Sequence, residues 1–276
     1  MLKDIVVNLS VGTARDVASD YAVSIASTFK THIVGVAFNY EPILPGAFID
    51  GMAAGFIDAQ RAENEKAANA AIAKFGELTR RAGLSSASRM IEASFGGAAG
   101  QFGQLARRFD LSVVGQSEPS RAAAEELLIE AALFESGRPV VVVPYIQRIG
   151  LKLGRVIVCW DRSRNAARAI ADAMPFLERA NSIDLLTISS KDTKRDEPPG
   201  ADIADHLTRH GLKVEIRRIV SSDIDVASTI LSYAADSAAD FLVMGGYGHS
   251  RLREFVLGGA TRGMLTAMTV PTLMSH

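Results

Sequence analysis

Three glycines near the end of the chain have the spacing of a loop that could hold phosphate groups. Gly245 follows an apolar run, Gly248 comes after two further residues, and Gly258 comes after nine more. Glycine lets the backbone adopt positive φ and approach a ligand closely, and the amides of such a loop can surround an anion. The spacing therefore predicts two groups of amide donors that hold a polyphosphate from two sides.

The residues around these glycines favour the same interpretation. Gly259 and Ala260 follow directly and open a predicted helix, whose N-terminal amides and dipole attract a phosphate. His249 lies between the glycines, together with Arg251 and Arg253, and all three could form charge-assisted hydrogen bonds to phosphate. The alternatives are a tight turn for the glycines and a solvated loop for the charged side chains.

The elements that must position these residues occur twice along the chain. An apolar strand over 5–9 precedes an alanine-rich helix pattern, and the same order restarts with a strand over 155–160. A repeat of half the chain length indicates duplicated domains rather than a solenoid, whose repeats have ~20–50 residues. We predict domains at 1–147 and 154–276, with a linker around Gly150.

Each half alternates short apolar strands with helices. Strands that are apolar on both faces and separated by helices indicate a parallel sheet covered on both sides, and right-handed crossovers make it doubly wound. The predicted fold class is α/β, with two doubly wound domains, each a five-stranded parallel sheet flanked by helices. Ligands of such sheets bind beyond the carboxyl ends of the strands, so the turns after Trp160, Ile188 and Met244 are the predicted site.

The glycine segment resembles the G-x2-G-x9-G-[ST] motif of ATP-binding universal stress proteins, and each half is similar to their adenine nucleotide alpha hydrolase-like fold. The resemblance covers nearly the whole chain, twice. It implies that ATP, ADP or AMP, with or without magnesium, binds the C-terminal domain of a stress-response signalling protein with at most slow hydrolysis. It also implies a homodimer formed through the last strand, in addition to the pseudo-dimer of the two halves.

The resemblance assigns roles to single residues. The three motif glycines correspond to positions near the ribose and the phosphates, whereas Gly259 replaces the family's Ser or Thr, so that Ser250 or Thr261 would have to supply the hydroxyl. Asp161 matches the acidic residue beside the nucleotide, and its alternative role is a turn or N-cap residue. Ile188 falls where the backbone would meet the adenine.

The first half departs from the motif. Glu118 stands where Gly248 stands in the second half, Glu125 and Glu126 follow where phosphates would lie, and Ser10 replaces the aspartate. Carboxylates repel a polyphosphate, so we expect the first half to be a structural partner or the site of a different ligand.

Composition excludes other classes of function. The 30 basic and 31 acidic residues leave a net charge of −1, which gives no drive for nucleic-acid binding. The single cysteine, Cys159, fits a reducing compartment. No apolar run approaches the ~20 residues of a membrane helix, and we expect a cytoplasmic protein that binds neither membranes nor nucleic acid.

Two other features have ordinary interpretations. His206 and His210 lie four apart with Asp202 nearby, but a surface helix is preferred and no metal site is predicted. The apolar segment 40–57 could form a lid over a first-half pocket, a partner-binding surface or an interfacial patch, and packing against the other domain is the preferred interpretation. The rival functions are a slow ATP hydrolase or nucleotide-transfer enzyme, and a scaffold without nucleotide.

Overall fold

The computed structural model describes residues 2–42, 53–117, 123–189, 200–220, 225–246 and 259–276. Strands and helices alternate throughout these ranges, which confirms the predicted α/β class. The chain divides into two compact units, Leu2–Ser136 and Gly137–His276. Among the helices in these ranges, none combines the length and the apolar character that crossing a membrane requires.

The first unit contains a parallel sheet with the strand order β3-β2-β1-β4. Strands β1 and β4 are buried over almost their whole length, whereas most of β3 is exposed at one edge. The elements of this unit are β1 (Asp4–Asn8), α1 (Val17–Phe29), β2 (His32–Tyr40), α2 (Ala53–Arg81), β3 (Ser86–Ala93), α3 (Phe95–Ala106), β4 (Leu111–Gly115) and α4 (Ala123–Phe134).

The second unit contains the strand order β5-β10-β9-β6-β7-β8, in which β5 is antiparallel to β10 and all the other neighbours are parallel. Its elements are β5 (Val140–Val143), β6 (Arg155–Cys159), α5 (Arg164–Leu177), β7 (Ser182–Ser189), α6 (Ala201–Arg209), β8 (Val214–Val220), α7 (Val226–Asp236), β9 (Phe241–Gly245), α8 (Gly259–Ala267) and β10 (Thr272–Ser275).

The strand β5 pairs with one side of β10. Thr272 of β10 pairs with Val142 on one side and with Leu242 of β9 on the other. Both edges of β10 are therefore occupied, and a second copy of the chain cannot add a strand there. The domain boundary predicted from the sequence repeat lies at residue 147 and would place β5 in the N-terminal domain. This boundary stays a prediction.

Helix α5 covers one face of the second sheet because its inward stripe is small and apolar. Ala166, Ala169 and Ala173 are buried on this helix, and such short side chains let a helix lie close to a strand. Further along, the Phe176 ring stacks on Phe241 of β9 with ring centroids 5.2 Å apart. Small residues at the start of α5 and a large one near its end thus fix its distance from β9.

A buried carboxylate joins three strands and a helix of the second unit. Asp184 of β7 is 1% exposed, and its Oδ2 accepts hydrogen bonds of 2.9 Å from Arg155 of β6 and 2.9 Å from the Tyr233 hydroxyl of α7. Arg217 of β8 lies 3.6 Å from Oδ1. The carboxylate is compensated by two cations and a hydroxyl, as a buried charge requires.

We expect Asp184→Asn to lower the free energy of unfolding by about 1–3 kcal/mol, because it removes the charge that receives bonds from the arginine and the tyrosine. Glu215→Gln is the matched control, since Glu215 pairs with Arg217 within β8 but is largely exposed. The control should cost less than about 1 kcal/mol. Urea unfolding of the two variants measures both values, and equal losses would contradict the structural role of Asp184.

Candidate functional site

The carboxyl ends of three neighbouring parallel strands form the candidate site in the second unit. Strand β6 lies between β7 and β9, so the residues at the ends of these strands share one edge of the sheet. Asp161 follows β6, Ile188 lies near the end of β7, and Gly245 ends β9. The structure thus brings these three predicted residues to the same edge.

Gly245 is enclosed by the first turn of α5. A Cβ atom at this position would lie 2.6 Å from the amide nitrogen of Ala166 and 2.7 Å from the carbonyl carbon of Asn165. The buried Asn165 side chain also donates a hydrogen bond of 2.7 Å to the Gly246 carbonyl. Glycine at 245 is therefore required by packing between strand and helix, whether or not its amide also meets a ligand.

Asp161 turns the chain between β6 and α5. Its Oδ1 accepts a hydrogen bond of 2.9 Å from the Ser163 amide, and Ser163 itself is the N-cap, whose Oγ accepts from the Ala166 amide. Between them, Arg162 has a positive φ of 68°. Asp161 is exposed and uses only one carboxylate oxygen within the described residues, which leaves the other free for a ligand.

Three buried polar atoms at this edge have no hydrogen-bond partner in the part of the chain that the structure describes. They are Trp160 Nε1 after β6, Ser189 Oγ at the end of β7 and Ser275 Oγ at the end of β10. Such groups are rare because burial without a partner costs free energy. Neither Ser189 nor Ser275 is among the predicted site residues, although each is a polar residue that ends an apolar strand.

The first turn of α8 contains no acidic side chain. Helix α8 begins at the exposed Gly259, followed by the half-buried Ala260. In contrast, Glu125 and Glu126 lie in the first turn of α4, the corresponding helix of the first unit. Thr261, one of the two residues considered for the missing hydroxyl, is 3% exposed, which leaves little of it for a ligand.

The residues between β9 and α8 lie outside the described ranges. Gly248, His249 and Gly258 belong to this segment, so their roles stay predictions. The same holds for most of the apolar segment 40–57, of which only 40–42 and 53–57 are described. Its last residues belong to α2, which begins at Ala53.

The cysteine and the histidine pair do not add to the site. Burial raises the pKa of the Cys159 thiol to about 12, and the nearby Asp161 adds to this effect, so the thiolate needed for nucleophilic chemistry does not form at neutral pH. The rings of His206 and His210 lie 4.8 Å apart, edge to face. Within the described ranges, no three His, Cys, Asp or Glu side chains are grouped as metal ligands.

These features define a doubly wound α/β protein with a candidate ligand site at the carboxyl edge of its second sheet. Residues 152–276 match the model of the universal stress protein family. A curated universal stress protein of Synechocystis is 36% identical over 67 residues, which span 24% of this chain and 22% of that relative. The C-terminal part of the chain is therefore similar to the universal stress protein family over residues 152–276.

Solved structures extend the likeness of fold to both halves. A universal stress protein of Archaeoglobus fulgidus is 15% identical, with 99% of this chain and 97% of that chain covered at a TM-score of 0.66. A structure from Pseudomonas aeruginosa, described as a putative universal stress protein, is 14% identical, with 99% and 93% covered at 0.61. At these identities the likeness concerns the fold alone, and it confirms the predicted α/β fold.

We expect Gly245→Ala to destabilise the protein by about 1–3 kcal/mol, because the added methyl group overlaps the backbone of α5. Gly259→Ala is the matched control, since no atom of the described residues lies within 4 Å of its Cβ position. The control should leave the free energy of unfolding nearly unchanged. Urea unfolding measures both, and a Gly245→Ala variant as stable as the control would show that the strand and helix separate easily.

Proposed function

We propose that the second unit binds ATP or a related adenine nucleotide, and that occupancy of this site biases the interactions of a stress-response protein. The observation that carries the proposal is the spacing Gly245-x2-Gly248-x9-Gly258 within the region that matches the family model. Gly245 ends a buried parallel strand, which is the position where doubly wound sheets bind ligands.

The polar groups at this edge suit a nucleoside. Trp160 Nε1 and Ser275 Oγ are buried without partners among the described residues, and a base or ribose would supply what they lack. Ile188 offers its backbone at the end of β7, and the free oxygen of Asp161 can accept a hydrogen bond from a ribose hydroxyl. These groups are neutral or acidic, so they favour the base and sugar rather than the phosphates.

The phosphates require donors, and α8 supplies them. The helix begins at Gly259 with no carboxylate in its first turn, so its amides and dipole favour an anion. A magnesium ion bound with the nucleotide would neutralise phosphate charge, and the carboxylate of Asp161 is the described group suited to its hydration shell. We therefore include both the free nucleotide and its magnesium complex in the proposal.

The first unit is not proposed to bind ATP. Glu125 and Glu126 lie in the first turn of α4, where they offset the positive end of the helix dipole and repel phosphate. One nucleotide per chain is the expected stoichiometry.

Calorimetric titration with ATP, ADP and AMP, with and without magnesium, tests this proposal. Wild type should bind one nucleotide per chain, and Gly248→Glu should weaken binding at least about tenfold, or 1.4 kcal/mol, because it introduces the carboxylate that the first half carries at Glu118. Gly76→Glu adds the same charge on the exposed side of α2, where nothing lies within 4 Å of the Cβ position, and should bind as wild type does.

Two outcomes of the titration count against the proposal. If wild type binds none of the three nucleotides, the second unit is a scaffold. If Gly248→Glu and Gly76→Glu bind as tightly as wild type, the nucleotide lies elsewhere than at the glycine loop.

A further inference from the structure

The first unit contains a cavity at the carboxyl ends of β1 and β2, between helices α2 and α4. Its volume is ≈ 270 Å³, close to the lower end of the ~300–1,000 Å³ typical of small-molecule sites. The lining residues with polar or aromatic side chains are Asn8, Ser10, Phe38, Tyr40, Asn64 and Glu125. The cavity lies at the edge of a doubly wound sheet where ligands commonly bind.

A buried amide lines this cavity without a partner. Asn8 is 6% exposed, and its side chain forms no hydrogen bond with any described residue. The neighbouring Asn64 is already engaged, because it donates 2.8 Å to the Tyr40 carbonyl and accepts 3.0 Å from Gln60. Because Asn8 lines the cavity, a ligand bound there can hydrogen-bond to its amide oxygen or amide nitrogen.

Aromatic rings form one wall. The ring centroid of Tyr40 lies 6.0 Å from that of Phe38 and 5.8 Å from that of Phe95. Burial raises the pKa of Tyr40 to about 12, and the charge of Glu125 adds to the effect, so the phenol is neutral at physiological pH. Neutral aromatic faces attract cations and pack against flat apolar groups.

The charge of the cavity is negative. Glu125 is the charged side chain among its described lining residues, and it forms no ion pair within the described ranges. Glu126 follows it in the first turn of α4. These carboxylates repel phosphate. An ammonium group has three N–H donors, and the Glu125 carboxylate and the side-chain amide oxygen of Asn8 can accept hydrogen bonds from them.

We propose that the first unit binds a small organic cation, an amine carried on a flat apolar body. The ammonium group bonds to Glu125 and to the Asn8 amide oxygen, and the apolar body packs on Phe38 and Tyr40. The site is separate from the proposed nucleotide site of the second unit and takes a ligand of opposite charge.

Phenethylamine is the probe, compared with 2-phenylethanol and phenylacetate, which carry the same ring with no charge and with a negative charge. Calorimetry on the full chain should give one phenethylamine per chain with a Kd of about 1 mM or tighter. The uncharged analogue, 2-phenylethanol, and the anionic analogue, phenylacetate, should each bind at least about tenfold more weakly than phenethylamine. Backbone amide shifts in β1 and β2 should change on titration, and saturating ATP should leave phenethylamine binding unchanged.

Two variants distinguish specific binding in the cavity from non-specific attraction between opposite charges. Glu125→Gln should weaken phenethylamine at least about tenfold, or 1.4 kcal/mol, whereas Glu126→Gln should bind as wild type does, because Glu126 is exposed and does not line the cavity. Asn8→Leu should weaken binding as well. Circular dichroism shows whether the Asn8→Leu variant is folded. If it is not, the comparison of Glu125→Gln with Glu126→Gln tests the proposal by itself.

The proposal is overturned if phenethylamine shows no saturable binding, or if phenylacetate binds equally well. It is also overturned if Glu126→Gln weakens binding as much as Glu125→Gln does. Loss of ATP binding in the second unit has no bearing on these results, so failure of one proposed site is distinguishable from failure of the other.

Discussion

The contact between the end of β9 and the first turn of α5 controls the geometry of the second unit's candidate site. Gly245 leaves no room for a side chain against the α5 backbone, and the Asn165 amide holds the Gly246 carbonyl. Together they fix where the chain leaves the sheet and therefore where the glycine segment begins. Since α5 itself starts from the turn at Asp161, the ends of β6 and β9 are held by one helix.

Much of the fold is readable from the sequence because its strands are uniformly apolar and its helices are rich in alanine. The strands predicted over 5–9 and 155–160 agree with β1 and β6 except at their ends, where assignments commonly differ by a residue or two. The same regularity makes the repeat of the two halves recognisable in the sequence. Short apolar runs bounded by polar turns predict the strands well, because a strand that is buried on both faces must be apolar along its length.

The site was predictable only in part. The ends of β6, β7 and β9 follow from the rule that ligands bind at the carboxyl edge of parallel strands. The need for glycine at 245 could not be predicted, because it depends on how closely a distant helix approaches. Likewise, the burial of Ser275 Oγ without a partner among the described residues is a property of three-dimensional packing. Asp161 was considered as an N-cap, a role that the structure gives to Ser163.

The two halves share a topology but differ in the charge at equivalent helix ends. Helix α4 carries Glu125 and Glu126 in its first turn, whereas α8 carries no acidic residue there. A helix N-terminus is weakly positive by itself, so two carboxylates suffice to reverse its preference. The carboxyl edges of the two sheets therefore differ in the charge that they present near these helix ends.

The position of β5 has a consequence for how the chain can be divided. A fragment that starts at residue 154, after the apparent linker, would lack β5 and leave one side of β10 with unpaired backbone donors and acceptors. Exposed strand edges of this kind recruit other strands and promote aggregation. A fragment that starts at Gly137 retains β5, so expression of the C-terminal half in soluble form depends on a short segment that the repeat pattern assigns to its neighbour.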